Sequence, residues 1–261
     1  MSDDIHRTGR FKIWIFSFVA LAAIVLVAAY WLFPYEQTTE LEFRQRAFPP
    51  GTRELVFEQG LSPFNSALSP RQLERIGERF KPNPSQICRM LYRDVSSPSA
   101  GAPDHPVQII SFLDYRCPYC KTLSNIMIGL HDDNTRFIYR EWPILGDASV
   151  LTARAALAAD RQGKYLAFHN RMMNTRLIPT PALIDNVAAE VGLDVAKLHT
   201  DMDSEATTQS IRQTASLASA LGLIGTPVLV VGRTVVQGEI TRRQLEKLIA
   251  EERSLPPMKD C

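Results

Sequence analysis

Between Val107 and Leu113 the chain reads VQIISFL, an apolar and β-branched run, and it then meets Cys117-Pro118-Tyr119-Cys120 at the head of a helix-like stretch reaching about Leu130. This junction constrains the fold more than any other feature. A buried strand feeding a helix, followed by the alternating run RFIYREW from Arg136 to Trp142, is a βαβ unit with two parallel strands. Two thiols three positions apart on a helix share one face and can close a small disulfide, and the first stands at the positive end of the helix dipole. The orphan N–H groups of the first turn stabilise a thiolate at Cys117, lowering its pKa and making it a good attacking and leaving group. Cys117 is therefore expected to be the solvent-accessible nucleophile, with Cys120 one turn inside. Pro118 suits a first helical position, where no N–H is needed.

A cysteine pair of this spacing also forms half of many zinc sites. A structural zinc site needs two further thiol or imidazole ligands, usually a second close pair. Cys88 and Cys261 are isolated, and His6, His105, His131, His169 and His199 are scattered without ligand spacing, so no metal is expected. The charge balance, 29 basic against 28 acidic residues, lacks the basic excess that nucleic-acid binding requires.

The N-terminus sets the compartment. From Ile13 to Phe33 there are 21 residues without a charge, interrupted only by Ser17, which is the length of a bilayer-crossing helix. Arg7, Arg10 and Lys12 precede it, whereas Glu36 and Glu40 follow, so residues 1–12 are expected in the cytoplasm and the rest of the chain across the membrane. A cleaved signal peptide would have a shorter apolar core and a small-x-small end, whereas this run ends Tyr30-Trp31-Leu32-Phe33, so an uncleaved anchor is the preferred reading. Either reading delivers the chain to an exported compartment where disulfides persist.

Residues 34–105 read as an extension or stalk of low periodicity. Its clearest helix runs from Pro70 to about Phe80, ended by Lys81-Pro82-Asn83-Pro84, and Ser96 to Pro103 reads as a linker. From residue 106 to 253 the pattern is sharper. After the βαβ unit come helical tracts at about Ser149–Arg161, Lys164–Asn174, Pro181–Val191 and Ser204–Leu221. Strands follow at Pro227–Val231 and Thr234–Gln237, then a helix at about Arg242–Arg253 behind the Thr241/Gln244 capping pair, leaving a tail over 254–261. The expected class is α/β: a thioredoxin fold with a helical insertion at about 148–222, preceded by one transmembrane helix.

Three motifs in order carry a resemblance: Phe112-Leu113-Asp114-Tyr115-Arg116-Cys117-Pro118-Tyr119-Cys120-Lys121, Arg140-Glu141-Trp142-Pro143-Ile144-Leu145-Gly146, and Gly225-Thr226-Pro227-Val228-Leu229-Val230-Val231. The region from 106 to 253 resembles bacterial periplasmic thiol–disulfide oxidoreductases of the DsbA and DsbG type. The resemblance implies that Pro227 is a cis-proline beside the cysteines, exposing the backbone of Thr226 to an extended substrate, with Pro118 and Tyr119 shaping the same site. Where thioredoxins and DsbA-type oxidases usually hold a buried carboxylate, six positions before the first cysteine, this chain has Ser111. Asp114 is the nearest acid, either relaying the Cys120 proton or capping the turn into the helix. Cys88 and Cys261 bracket the region as a structural disulfide or as two free thiols.

The expected activity is disulfide exchange with exported proteins through Cys117 and Cys120, without cofactor, at a bacterial inner membrane with the catalytic domain periplasmic. A membrane redox partner would reset the cysteines, and homo-oligomerisation is left open. The oxidase direction is preferred. The alternatives are a DsbG-type isomerase or reductase and a non-enzymatic thioredoxin-like assembly factor.

Overall fold

The computed structural model describes residues 40–46, 49–56, 83–94, 96–101, 107–131 and 135–256. The expected membrane helix, the helix expected at Pro70–Phe80 and Cys261 lie outside the described residues. Among the described residues no helix is long and apolar enough to cross a membrane.

The elements in chain order are β1 (Glu42–Gln45), β2 (Arg53–Val56), α1 (Pro84–Tyr92), β3 (Ser99–Ala100), β4 (Gln108–Leu113), α2 (Pro118–Ile128) and β5 (Arg136–Glu141). There follow α3 (Asp147–Asp160), α4 (Tyr165–Met173), α5 (Pro181–Glu190), α6 (Val195–Met202) and α7 (Glu205–Ala220), then β6 (Val228–Val231), β7 (Thr234–Gln237) and α8 (Arg242–Ser254). The strands form one sheet in the order β1-β2-β7-β6-β4-β5-β3. β4 runs parallel to β5 and antiparallel to β6, so α2 is the crossover of the βαβ unit. The five helices α3 to α7 are inserted between β5 and β6. The fold is thioredoxin-like with a helical insertion.

Side chains alternate across the central strands, and each face meets its own core. Ile109, Leu113, Phe137, Tyr139 and Leu229 face α2, α8 and most of the insertion. Ile110, Phe112, Ile138, Val228 and Val230 face α1 and α7, where Ile87, Leu91, Leu217 and Leu221 pack on them. With both faces covered, the central strands read as nearly continuous apolar runs.

The segment before residue 105 differs from its sequence reading. β1 and β2 form an antiparallel pair, and β2 then runs parallel to β7, with Arg53 opposite Thr234. Glu252 of α8 fastens this edge, taking hydrogen bonds from Arg53 (2.9 Å) and from the Thr234 hydroxyl (2.6 Å). Asn83-Pro84 starts a helix: the Asn83 side chain accepts from the Gln86 amide while Gln86 reaches back to the Asn83 amide, a reciprocal cap with proline at the first position. Within the expected linker, Ser99 and Ala100 pair with Ile138 and Phe137 at the far edge of the sheet. In the insertion, α6 is an additional helix, capped by Asp194, whose side chain accepts from the Lys197 amide.

Candidate active site

The site is built where β4 ends and α2 begins. Cys117 is the N-cap of α2, in extended conformation, and its sulfur accepts from the Cys120 amide at 3.3 Å. Cys117 and Cys120 are both free thiols. A hydrogen bond from the Cys120 thiol, with the amides of Cys120 and Tyr119, outweighs burial and brings Cys117 from an ordinary 9.0 down to about 7. Burial pushes Cys120 well up, and a neighbouring Cys117 thiolate pushes the same way. The two thiols therefore separate into one that ionises easily and one that holds its proton.

The expectation that Cys117 is solvent-accessible needs correction. It is only 3% exposed, against 0% for Cys120, although Arg116 and Pro118 on either side are exposed. The reason is the loop before β6, where the Thr226 carbonyl lies 3.4 Å from the Cys117 sulfur and accepts from its thiol. The Thr226–Pro227 peptide bond is cis, and the Pro227 carbonyl accepts from Gly238 after β7 at 3.0 Å. Tyr119 is half-buried at the rim.

Asp114 is buried, and its carboxylate takes four hydrogen bonds. The Arg116 amide (2.7 Å) and the Ser149 hydroxyl (2.7 Å) bind one oxygen; the amides of Ile144 (2.8 Å) and Leu145 (3.0 Å) bind the other. It thus ties the turn into α2 to the loop after β5. Cys88 is buried on α1 and disulfide-bonded, with its partner outside the described residues. Among the described residues no group of three or more His, Cys, Asp or Glu side chains is placed to hold a metal ion.

The model of the DSBA-like thioredoxin domain matches residues 108–250. The chain belongs to the DSBA-like thioredoxin family. A thioredoxin-like oxidoreductase from Silicibacter pomeroyi is 40% identical and superposes with a TM-score of 0.62, over 64% of this chain and 98% of that one. The thiol–disulfide exchange protein α-DsbA2 from Wolbachia pipientis is 26% identical, with a TM-score of 0.61 over 70% of this chain and 99% of its own. Among curated proteins, a Na⁺/H⁺ antiporter NhaA from Herminiimonas arsenicoxydans is 24% identical over 156 residues, 59% of this chain and 25% of the antiporter. The chain thus spans about a quarter of that relative's length. Members of this family are thiol–disulfide oxidoreductases, and residues 108–250 form such a domain.

Behind the cysteines, this DSBA-like domain holds a buried polar cluster that sequence reasoning missed. Glu141 at the end of β5 accepts from the hydroxyls of Tyr115 (3.0 Å) and Tyr165 (2.7 Å). His169 on α4 pairs through Nδ1 with the Tyr115 hydroxyl (2.9 Å) and through Nε2 with the Ser124 hydroxyl of α2 (2.9 Å). All five side chains are buried. Two signals were available: Ser124 follows Cys120 by one helical turn, and Tyr165 and His169 share the same spacing on α4. That Glu141 points inward was not legible, because a charged residue in an alternating strand usually marks the solvent face.

Proposed function

We propose that the chain is a membrane-anchored thiol–disulfide oxidoreductase that exchanges disulfides with exported proteins, with Cys117 as the nucleophile and Cys120 as the resolving thiol. The observation that carries this reading is the Cys117 sulfur itself, held at the α2 N-terminus by the Cys120 amide and beside the Thr226 carbonyl. An incoming thiolate attacks the Cys117 sulfur of the disulfide and expels Cys120, giving a mixed disulfide. A second substrate thiolate then attacks the substrate sulfur and expels Cys117. Cys117 is the better leaving group because its thiolate is stabilised. Thr226, Pro227, Pro118 and Tyr119 shape the groove in which an extended substrate segment lies.

The oxidase direction is supported by the stabilised Cys117 thiolate, which favours the reduced form and so favours giving the disulfide away. The size of the effect favours the second reading, reduction or isomerisation, because a thiol near 7 is where thioredoxin itself lies. The reduction potential decides: equilibration of the full chain with glutathione redox buffers places it toward the oxidising or the thioredoxin end. A chain unable to oxidise or reduce a test substrate at any poise would instead be a scaffold.

The uncharged run Ile13–Phe33 supports a single-pass inner-membrane anchor with the domain from 106 to 253 in the periplasm. Retention in carbonate-washed membranes, with protease access from the periplasmic side, tests it. A soluble exported product cleaved near residue 30 would refute it. The disulfide-bonded state of Cys88 supports a Cys88–Cys261 bridge, which non-reducing peptide mapping would show directly. The regenerating membrane partner is expected to present its own dithiol or disulfide to the Cys117 face.

A further inference from the structure

The exchange reaction moves a proton as well as electrons. Cys120 is fully buried and its thiol is pushed well up, so when the Cys117–Cys120 bond opens, Cys120 does not persist as a thiolate. Ser111, in the position six before Cys117, is hydrogen-bonded to the Ile138 carbonyl at 3.3 Å and has no acid proton to give. Asp114 is held as an acceptor by three amides and a hydroxyl.

Glu141 is differently placed. Its second oxygen, Oε2, is buried with no hydrogen-bond partner, and no cation pairs with it among the described residues. The groups facing it are Tyr115 from the loop after β4, Tyr165 and His169 from α4, and the Asp114 carboxylate; Tyr139 and the half-buried His131 flank the same cluster. Burial foremost, aided by the negative charge of Asp114 and opposed by the two tyrosine hydroxyls, pushes its carboxyl up to about 8. At neutral pH it therefore holds a proton.

From this carboxyl a continuous hydrogen-bonded chain runs to the active-site helix: Glu141 to Tyr115, Tyr115 to His169, His169 to Ser124. Every member is able to turn round. His169 is neutral, burial having brought it down to about 3, so one ring nitrogen donates while the other accepts, and the two hydroxyls rotate to match. With Glu141 ionised, the donors point from Ser124 toward the carboxylate; with Glu141 protonated, they point from the carboxyl toward Ser124. Ser124 and Cys120 are neighbours on one face of α2, about 5–6 Å apart at Cβ for that spacing.

We propose that Glu141 is the proton store for Cys120, acting through Tyr115, His169 and Ser124. When a substrate thiolate opens the disulfide, Cys120 leaves with the electron pair of the S–S bond. It becomes a thiol with a proton delivered from the Ser124 end of the chain, while Glu141 is left as carboxylate and later recovers its proton from solvent. In the reverse direction Glu141 first gives its proton to solvent, and the carboxylate then takes up the Cys120 proton as the Cys120 sulfur attacks Cys117 of a mixed disulfide and the substrate leaves as thiolate. Glu141 is thus a positioning residue for a proton and touches no reacting sulfur. The inference rests on Cys117 and Cys120 being the exchanging pair.

The test measures reduction of the oxidised full chain by a small thiol from about pH 6 to about pH 10, with each rate divided by the thiolate fraction of the attacking reagent. For the unaltered protein this corrected rate should fall with a midpoint near 8, as Glu141 loses its proton. Glu141→Gln keeps the shape and should abolish the step, with a rate at neutral pH about tenfold or more lower. Ser124→Ala leaves the carboxyl in place but cuts the chain beside α2, and should lower the neutral rate similarly. A folded Glu141→Gln protein with the unaltered profile overturns the proposal. Should that variant not fold, an unaltered profile in Ser124→Ala overturns it equally. Failure of the redox-pair reading looks different, since the unaltered protein would then not be reduced through Cys117 and Cys120 at any pH.

Discussion

The Asp114 carboxylate holds the Ile144 amide at 2.8 Å and so joins the end of β4 to the loop after β5. Removing it takes this acceptor from the amides of Arg116, Ile144 and Leu145 and from the buried Ser149 hydroxyl. Asp114→Ala is expected to cost about 3 kcal/mol or more in denaturant unfolding, since each hydrogen bond to a charged group contributes roughly 1.5–3 kcal/mol. An Asp114→Asn protein of unchanged stability with an altered pH profile of exchange would instead make Asp114 a proton carrier.

The separation of the two thiols sets which variant traps substrate. Cys120→Ser should accumulate mixed disulfides with exported proteins, because the remaining Cys117 still reacts and nothing resolves the product. Cys117→Ser should accumulate few, its remaining thiol being fully buried and held protonated. Non-reducing gels of both variants show the difference, and equal trapping would reverse the assignment.

The lowered thiol gives a pH dependence with a definite sign. Cys117 falls from 9.0 to about 7, so the folded reduced protein binds fewer protons than the unfolded chain between those values. Stability of the reduced form from this group is fully present above about 9 and is lost as pH falls through about 7. Thiolate absorbance of the reduced protein should titrate with a midpoint near 7 and vanish in Cys117→Ser. A midpoint at the ordinary thiol value would show that the helix N-terminus stabilises nothing there.

Glu252 binds the N-terminal pair of strands to the rest of the sheet through Arg53 and Thr234 and is only 5% exposed. Glu252→Ala leaves Arg53 with Glu251, at 2.8 Å, as its remaining carboxylate and is expected to cost about 1–3 kcal/mol. Amide exchange should show β1 and β2 opening first. A variant in which all strands keep equal protection would mean that backbone pairing alone holds the edge.

The parts of the fold that were legible are those whose signal is local. β4 and β6 are continuous apolar runs, α2 starts at a cysteine N-cap with proline next, and α8 begins at a reciprocal Thr241/Gln244 cap. The same capping logic holds at Asn83/Gln86, hidden within Lys81-Pro82-Asn83-Pro84 because proline suits the first position of a helix as well as a break. α6 gives only a weak period, with four apolar positions among its eight residues, although Asp194 marks its start. β1 and β2 are four residues each and carry charges, so only their pairing partners reveal them as strands. In the site, the cysteines and the Thr226-Pro227 segment are contiguous motifs. The Glu141 cluster draws on β5, α2, α4 and the loop after β4, and no window along the chain contains it.

The outer strand has a consequence for the protein's own solubility. β1 closes the sheet after only four residues, with Glu42, Arg44 and Gln45 exposed and only Phe43 half-buried. Without β1 and β2 the outermost strand would be β7, whose four residues are all buried. An uncharged, unpaired edge can recruit an extended chain that drifts past, and short charged edges resist such docking. On that flank the sheet is therefore fenced against growth by addition of a foreign strand.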